Sequence, residues 1–380
     1  MDAPFPRVAL VHDWLTGMRG GEKCLERLCR RWPHAPLYTL FHVRGSVSPV
    51  IEDRLIVPSI LQRLPCRERY YRYLLPLMPA AARWPMPPCD LVVSLSHCVA
   101  KAAVPPPGVP HVCYCFTPMR YAWHMRDAYF ERFRGPAGWL VGKITDRLRA
   151  WDRATVERVT HFIAISHTIQ DRIRECYGRS SVVIYPPVDS DFYRPAAVHR
   201  EDYYLVVSAF APYKRIDLAV TACRRLGRKL VVIGTGQDER RLRALAGSDV
   251  TFLGWQSDQA IRDHFRRCRA LLLPGEEDFG IVPVEAQACG TPVIAFGRGG
   301  AAETVIPADS AAEPTGVLFG EQSVTGLADA ILRYEAHSGD FSPAVARRQA
   351  ERFHPQRFDE ELSKFLATVV RPRSEYRRAA

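Results

Sequence analysis

The chain has no run approaching about 18 uncharged apolar residues, which excludes a membrane-spanning helix of ordinary length. It also has no Cys-x-x-Cys pair. Its eleven cysteines are scattered, and Cys113 and Cys115 are the nearest two. An odd, dispersed set is neither a zinc site nor a disulfide framework, so the thiols read as reduced and mostly buried as small apolar groups. Between Met1 and the apolar run Val8–His12 there is no room for a signal peptide, so a cytoplasmic location is expected. No internal repeat stands out. Acid is scarce in one half: residues 1–200 carry 28 Lys and Arg against 17 Asp and Glu, whereas residues 201–380 carry 24 of each. The whole net charge of +11 therefore sits in the first half, which asks for an anionic partner there. Nucleic acid is a poor candidate, since no binding motif is present and the basic residues do not share one helix.

What is present is enough chain for two domains. With 380 residues, 47% apolar and 24% charged, the protein suits two globular cores. Val8–His12, a glycine loop at 16–21 and a helix from Glu22 to Trp32 make the strand–loop–helix unit that opens a doubly wound parallel sheet. Further strands are expected at Leu91–Leu95, His111–Cys115, Phe162–Ile165 and Val182–Tyr185. Residues 186–202, rich in proline and polar groups, read as a linker. A second series follows, with strands at Tyr204–Val207, Leu230–Ile233, Thr251–Leu253, Ala270–Leu273 and Val293–Ala295. Helices are expected from Ile216 and over 237–246 and 258–268, and two amphipathic ones over 343–368. The predicted domains are residues 1–190 and 200–355, with a last helix in 356–380. Sheets of this kind bind ligands outside the carboxyl ends of their strands.

Residues 272–296 carry the strongest signal. Glu277 and Glu285 stand eight apart around Phe279-Gly280, after Leu271–Leu273 and before Cys289-Gly290-Thr291-Pro292. The order reads strand, loop, helix over Val284–Ala288, then strand again. Such a loop aims free N–H groups at an anion and places two carboxylates where sugar hydroxyls can donate to them. Phosphate beside polyhydroxyl describes a nucleotide-sugar.

The Glu-x7-Glu segment, with Gly-x-Pro-Val-Ile after it, resembles glycosyltransferase family 4, the retaining enzymes of GT-B fold. The resemblance implies an α/β chain of two Rossmann-like domains facing a central cleft, with the last helix crossing back to the first domain. It assigns Glu277 to the hydroxyls of the transferred sugar and Glu285 to the nucleotide ribose. Asp278 and the backbone at Phe279, Gly280 and Ile281 would meet the sugar or diphosphate. Pro212-Tyr213-Lys214-Arg215-Ile216-Asp217 looks like the family's phosphate-binding loop, and its variant like that of mannosyltransferases of surface-polysaccharide assembly. Lys214 would offset charge growing on the departing diphosphate. An Arg commonly precedes that Lys by five residues; Ala209 stands there, leaving Arg215 as a candidate substitute. Gly234 and Gly236 form a strand-to-helix turn at the nucleotide edge. Gly299-Gly300 reads as a packing device. The family is thought to act by a front-face route, so Glu277 is not assigned as a nucleophile, and no metal is required. Asp189-Ser190-Asp191 reads as turn chemistry rather than a metal motif.

In the first half, Gly20 and Gly21 let backbone approach donor phosphate or acceptor. Two segments follow strands, Ser96–Lys101 and Cys113–Tyr121. The second resembles a family stretch whose His is replaced here by Phe116, which leaves His97 or His124 to stand in for it. Arg120, Tyr121 and His124 are expected on the acceptor. Residues 54–84 hold six Arg against one acid, Glu68, among leucines and aromatics, a composition suited to an anionic bilayer. A helical hairpin capping the first domain is the other reading of that stretch. Together these features predict a retaining transferase, peripheral on the inner face of the cell membrane. It would move a hexose, mannose from GDP-mannose, to a polyprenyl-linked or polysaccharide acceptor without a cofactor. An epimerase or hydrolase on the same architecture, and an inactive sugar-nucleotide-binding module, are the alternatives.

Overall fold

The computed structural model describes residues 7–66, 70–84, 86–124, 135–309 and 312–370. The chain sorts into two compact units: residues 1–185 with 359–380, and residues 186–358. In the first unit, seven parallel strands lie in the order β3-β2-β1-β4-β5-β6-β7. They are β1 (Val8–His12), β2 (Leu37–Thr39), β3 (Ile56–Pro58), β4 (Leu91–Ser96), β5 (His111–Cys115), β6 (His161–Ala164) and β7 (Ser181–Val183). Every residue of β1, β4 and β5 is buried. That is why these strands read as unbroken apolar runs: helices cover both faces of a parallel sheet. β2 and β3 were missed, because three residues leave almost no pattern.

The second unit repeats the plan with six strands, β8 (Tyr204–Val207), β9 (Leu230–Ile233), β10 (Val250–Gly254), β11 (Leu271–Leu273), β12 (Val293–Phe296) and β13 (Gly316–Phe319). Their order is β10-β9-β8-β11-β12-β13. Each sheet thus has one place where strand order reverses, between β1 and β4 and between β8 and β11. Loops leaving neighbouring strands diverge there and open a crevice.

Of residues 186–202, expected as a linker, those up to Tyr193 are packed structure, whereas 194–199 are exposed. Val188, Ser190 and Tyr193 are buried, and Arg347 donates to the carbonyls of Ser190 and Tyr193. Apolar side chains among the prolines supply the grip that composition alone hid. Asp189 accepts from the Phe192 N–H at 2.9 Å, and Asp191 meets His354 Nε2 at 3.1 Å. The first of these is a local turn contact. The helix Pro355–Val369 crosses the boundary between units, and Arg27 pairs with Asp359 at its start in the first unit.

Arg54, first of the six arginines in 54–84, donates to the carbonyls of Cys29, Trp32 and Ala35. It caps the end of the helix Gly20–Arg31, a structural duty that satisfies orphan carbonyls. Arg67, Glu68 and Arg69 lie outside the described residues. No helix among the described residues is long and apolar enough to cross a membrane.

Candidate functional site

The reversal in the second sheet brings Lys214 and Glu277 together. Lys214 ends a single turn, Pro212–Lys214, after β8, and Glu277 lies in the loop after β11. The Lys214 ammonium donates to both carboxylate oxygens of Glu277, at 2.5 and 2.6 Å. Both side chains are about one-seventh exposed, enough for a ligand to reach them. Arg215 follows with φ +50, a left-handed conformation uncommon for a side-chain-bearing residue, and opens the helix Ile216–Leu226. Its guanidinium turns to Asp217, at 3.3 Å, rather than to Glu277.

Glycines let the loops touch. A Cβ on Gly275 would sit 2.8 Å from Lys214 Cα, so here the two loops meet backbone to backbone. Gly275 was not singled out in the sequence, and Pro274-Gly275 directly after a strand was its only mark. A Cβ on Gly299 would sit 2.2 Å from the Glu277 carbonyl, which also accepts the Gly300 N–H at 2.7 Å. Gly299-Gly300 is thus a clamp on the Glu277 loop. Gly234 and Gly236 press on the lysine loop in the same way, against the carbonyls of Ser208 and Phe210.

The helix after Glu277 runs Ile281–Ala288, three residues earlier than expected. Pro283 lies in its first turn, where no intrahelical N–H is needed. Gly280, at φ +83, caps it and aims the N–H groups of the first turn outward. Phe279 is buried against Phe353, with ring centroids 5.4 Å apart, so only its backbone is available to a ligand. Asp278 and Glu285 are also buried. Tyr193 hydrogen-bonds Glu285; its own pKa is raised by burial first and by the Glu285 charge second.

The first sheet's reversal holds a different pair. Asp13, directly after β1, is fully buried and accepts from the backbone N–H groups of His97, Cys98, Val99 and Ala100 at 2.6 to 3.0 Å. His97 Nδ1 completes the set at 2.9 Å. Burial alone would raise the Asp13 pKa. The charge and hydrogen bonds of His97, with the charge of His12, reverse this and hold the carboxyl well below the usual carboxylate range. Phe116, at the place of the family's His, packs edge-on against His12 and lies 3.3 Å from where a Gly21 side chain would begin. Gly20 begins the first helix, and Gly21 gives Phe116 its room.

His124 is not part of this cluster: its Nε2 lies 3.3 Å from the Cys176 thiol on the helix His167–Tyr177. Tyr121 packs on the hydrophobic core, and Arg120 is half-buried. Lys101, at the end of the segment expected to face the ligand, turns inward instead. Its ammonium donates to Asp152 Oδ1 at 2.5 Å and to Thr155 at 2.8 Å, and Trp123 and Tyr177 hold the other Asp152 oxygen.

Two family models cover most of the chain. Residues 18–192 match the one described as Glycosyltransferase Family 4, and residues 187–350 match Glycosyl transferases group 1. The chain belongs to glycosyltransferase family 4 and has the GT-B fold. The GDP-mannose-dependent alpha-(1-6)-phosphatidylinositol monomannoside mannosyltransferase of Mycobacterium tuberculosis is 31% identical over 198 residues, 44% of this chain and 50% of the relative. The D-inositol 3-phosphate glycosyltransferase of Mycobacterium avium is 30% identical over 244 residues, 58% of this chain and 54% of the relative. The chain spans about half the length of the curated relatives it matches. Among solved structures, Anabaena HepE in complex with UDP and glucose superposes with a TM-score of 0.70 at 17% identity, over 95% of this chain and 99% of that one. Sucrose-phosphate synthase from Thermosynechococcus elongatus gives 0.69 at 17% identity, over 96% and 99%.

Proposed function

We propose that this protein is a retaining hexosyltransferase that moves mannose from GDP-mannose to a lipid-linked or polysaccharide acceptor. The observation that carries the reading is the Lys214 ammonium on both oxygens of Glu277 at the reversal of the second sheet. A diphosphate takes the ammonium, and the carboxylate thereby released accepts from sugar hydroxyls. The cation then offsets negative charge as the nucleoside diphosphate departs, while the outward N–H groups of Gly280 and Ile281 bind anionic oxygen. Glu285 serves the ribose through an exchange of the Tyr193 hydrogen bond. No step calls for a metal.

The choice of GDP-mannose is supported by the mycobacterial relative's name; the HepE complex makes UDP-glucose the competing donor. An anionic bilayer is the proposed setting on the inner face of the membrane. Leu55, Ile60, Tyr73 and Leu77 stay between 55 and 74% exposed within the basic stretch 54–84, and exposed apolar groups in a basic stretch suit an anionic lipid surface. A thermal-shift panel of GDP, UDP, ADP and their sugars tests the donor: the melting point should rise for GDP and GDP-mannose above the rest. Glu277→Ala should abolish transfer while GDP still binds. Unchanged transfer in that variant removes the assignment.

A further inference from the structure

The helix Gly135–Ala154 in the first unit is longer than its core requires. Its inward side is complete: Thr145, Leu148 and Asp152 are buried, and Ile144 and Trp151 pack on the cluster that holds Leu148. No residue before Thr145 is buried, so residues 135–142, about 12 Å of helix, rest on no core. Turns that face water are ordinarily polar. These read Gly-Pro-Ala-Gly-Trp-Leu-Val-Gly, without one charge. Trp139 is 66% exposed and Leu140 54%. At helical spacing Pro136, Trp139, Leu140, Lys143 and Arg147 share one outward arc of about 100°, opposite the buried side. All five are exposed, and the Lys143 ammonium lies over the Trp139 ring, 6.0 Å from its centroid. Asp146, the one acid on the exposed side of this helix, stands at the edge of that arc. The face therefore sets an unneeded indole and leucine beside two cations. A second copy of this chain is a poor occupant, because a two-fold contact would bring the same cations together. An anionic bilayer suits both parts: indoles settle at headgroup level and cations at the charged surface. The stretch 54–84 gives Arg54 to a helix end, whereas here both cations stay exposed.

We propose that the turn holding Trp139 and Leu140 is the part of this protein that enters an anionic bilayer, with Lys143 and Arg147 against the headgroups. This rests on the bilayer setting given above and not on the donor chemistry. The apolar turn sinks about 5–10 Å into the boundary between headgroups and acyl chains. The inward side of the helix stays on its own core, so docking asks for no rearrangement of the unit.

Flotation of the full chain with vesicles tests this without any donor. One set holds equal parts phosphatidylglycerol and phosphatidylcholine, the other phosphatidylcholine alone. Wild type should float with the anionic set only, and added salt should release it. Trp139→Ser combined with Leu140→Ser should weaken that binding roughly 10- to 100-fold. Lys143→Glu combined with Arg147→Glu should weaken it roughly tenfold or more. All four side chains lie outside the core, so both variants should keep the wild-type melting point. Brominated acyl chains should quench the fluorescence of wild type more than that of Trp139→Phe, which places indole 139 in the lipid. A Trp139→Ser, Leu140→Ser variant that floats like wild type overturns the inference. If Tyr73→Ser with Leu77→Ser then floats less, the bilayer contact belongs to residues 54–84. A dimer lost in the first variant while its vesicle binding is unchanged gives the face to a second copy, and also overturns it. A wild type that ignores both vesicle sets removes the bilayer setting and this inference together, and leaves the transferase reading to its own thermal-shift test.

Discussion

The two sheets reverse their strand order in the same way and use the reversal differently. In the first unit the carboxylate, Asp13, is buried, saturated with N–H donors, and presents a histidine it does not release. In the second, Glu277 meets a lysine on a flexible stem, both partly exposed, so a ligand can part them. One fold motif gives a fixed orienting device in one unit and an exchangeable ion pair in the other. The difference follows from what each carboxylate receives: backbone N–H groups cannot move away, whereas an ammonium can.

The largest test of that contrast is stability. Asp13→Asn should lower the first unit's unfolding free energy by roughly 3–5 kcal/mol, since an amide placed among four N–H donors leaves buried groups unpaired. Glu277→Gln should cost under about 1 kcal/mol, because its pair is partly solvated. Calorimetry that finds equal losses in the two variants breaks the comparison. Acid sharpens it further. His111 is fully buried between Ser94 and the Arg158 carbonyl, and burial lowers its pKa from 6.5 to about 4. The unfolded chain takes up that proton as pH falls through 6.5, whereas the folded chain waits until about 4. The group's contribution is whole above pH 6.5 and is lost as pH falls toward 4, by about 3 kcal/mol. The second unit's His264 is only half-buried and shifted in the same direction, so its unit should weaken less over that range. Urea melts at pH 7 and pH 4.5 measure both, and His111→Gln should flatten the first unit's slope. Kinetics sharpen the comparison within the lysine loop. Lys214→Ala should cost roughly 100- to 1000-fold in kcat/KM. Arg215→Ala should cost less than about tenfold, since its guanidinium is engaged by Asp217.

The Lys214–Glu277 pair of the second unit was more legible than the Asp13 cluster of the first for a physical reason. Leu271–Leu273, Glu277, Phe279-Gly280 and Gly290-Thr291-Pro292 are contiguous, so strand, loop, helix and strand lie within one readable stretch. Lys214 and Glu277 follow neighbouring strands, and their meeting comes from the reversal that both sheets share. Asp13 had no such mark. Its importance comes from N–H groups 84 to 87 residues away, and a single Asp after a strand says nothing of them. Gly275 matters only because another loop's backbone lies against it. Lys101 ended a segment expected to face the ligand, and only the buried Asp152 reveals its true direction. The short strands β2, β3 and β13 were lost for brevity, not for wrong chemistry.

One consequence of the chain's path concerns its synthesis. Residues 186–358 form their unit without interruption, whereas the first unit needs residues from 359 onward, clasped by Arg27 to Asp359. On a ribosome the half that emerges first lacks that clasp until the second unit has been made. The unit whose sequence is unbroken is the one that closes without a distant segment.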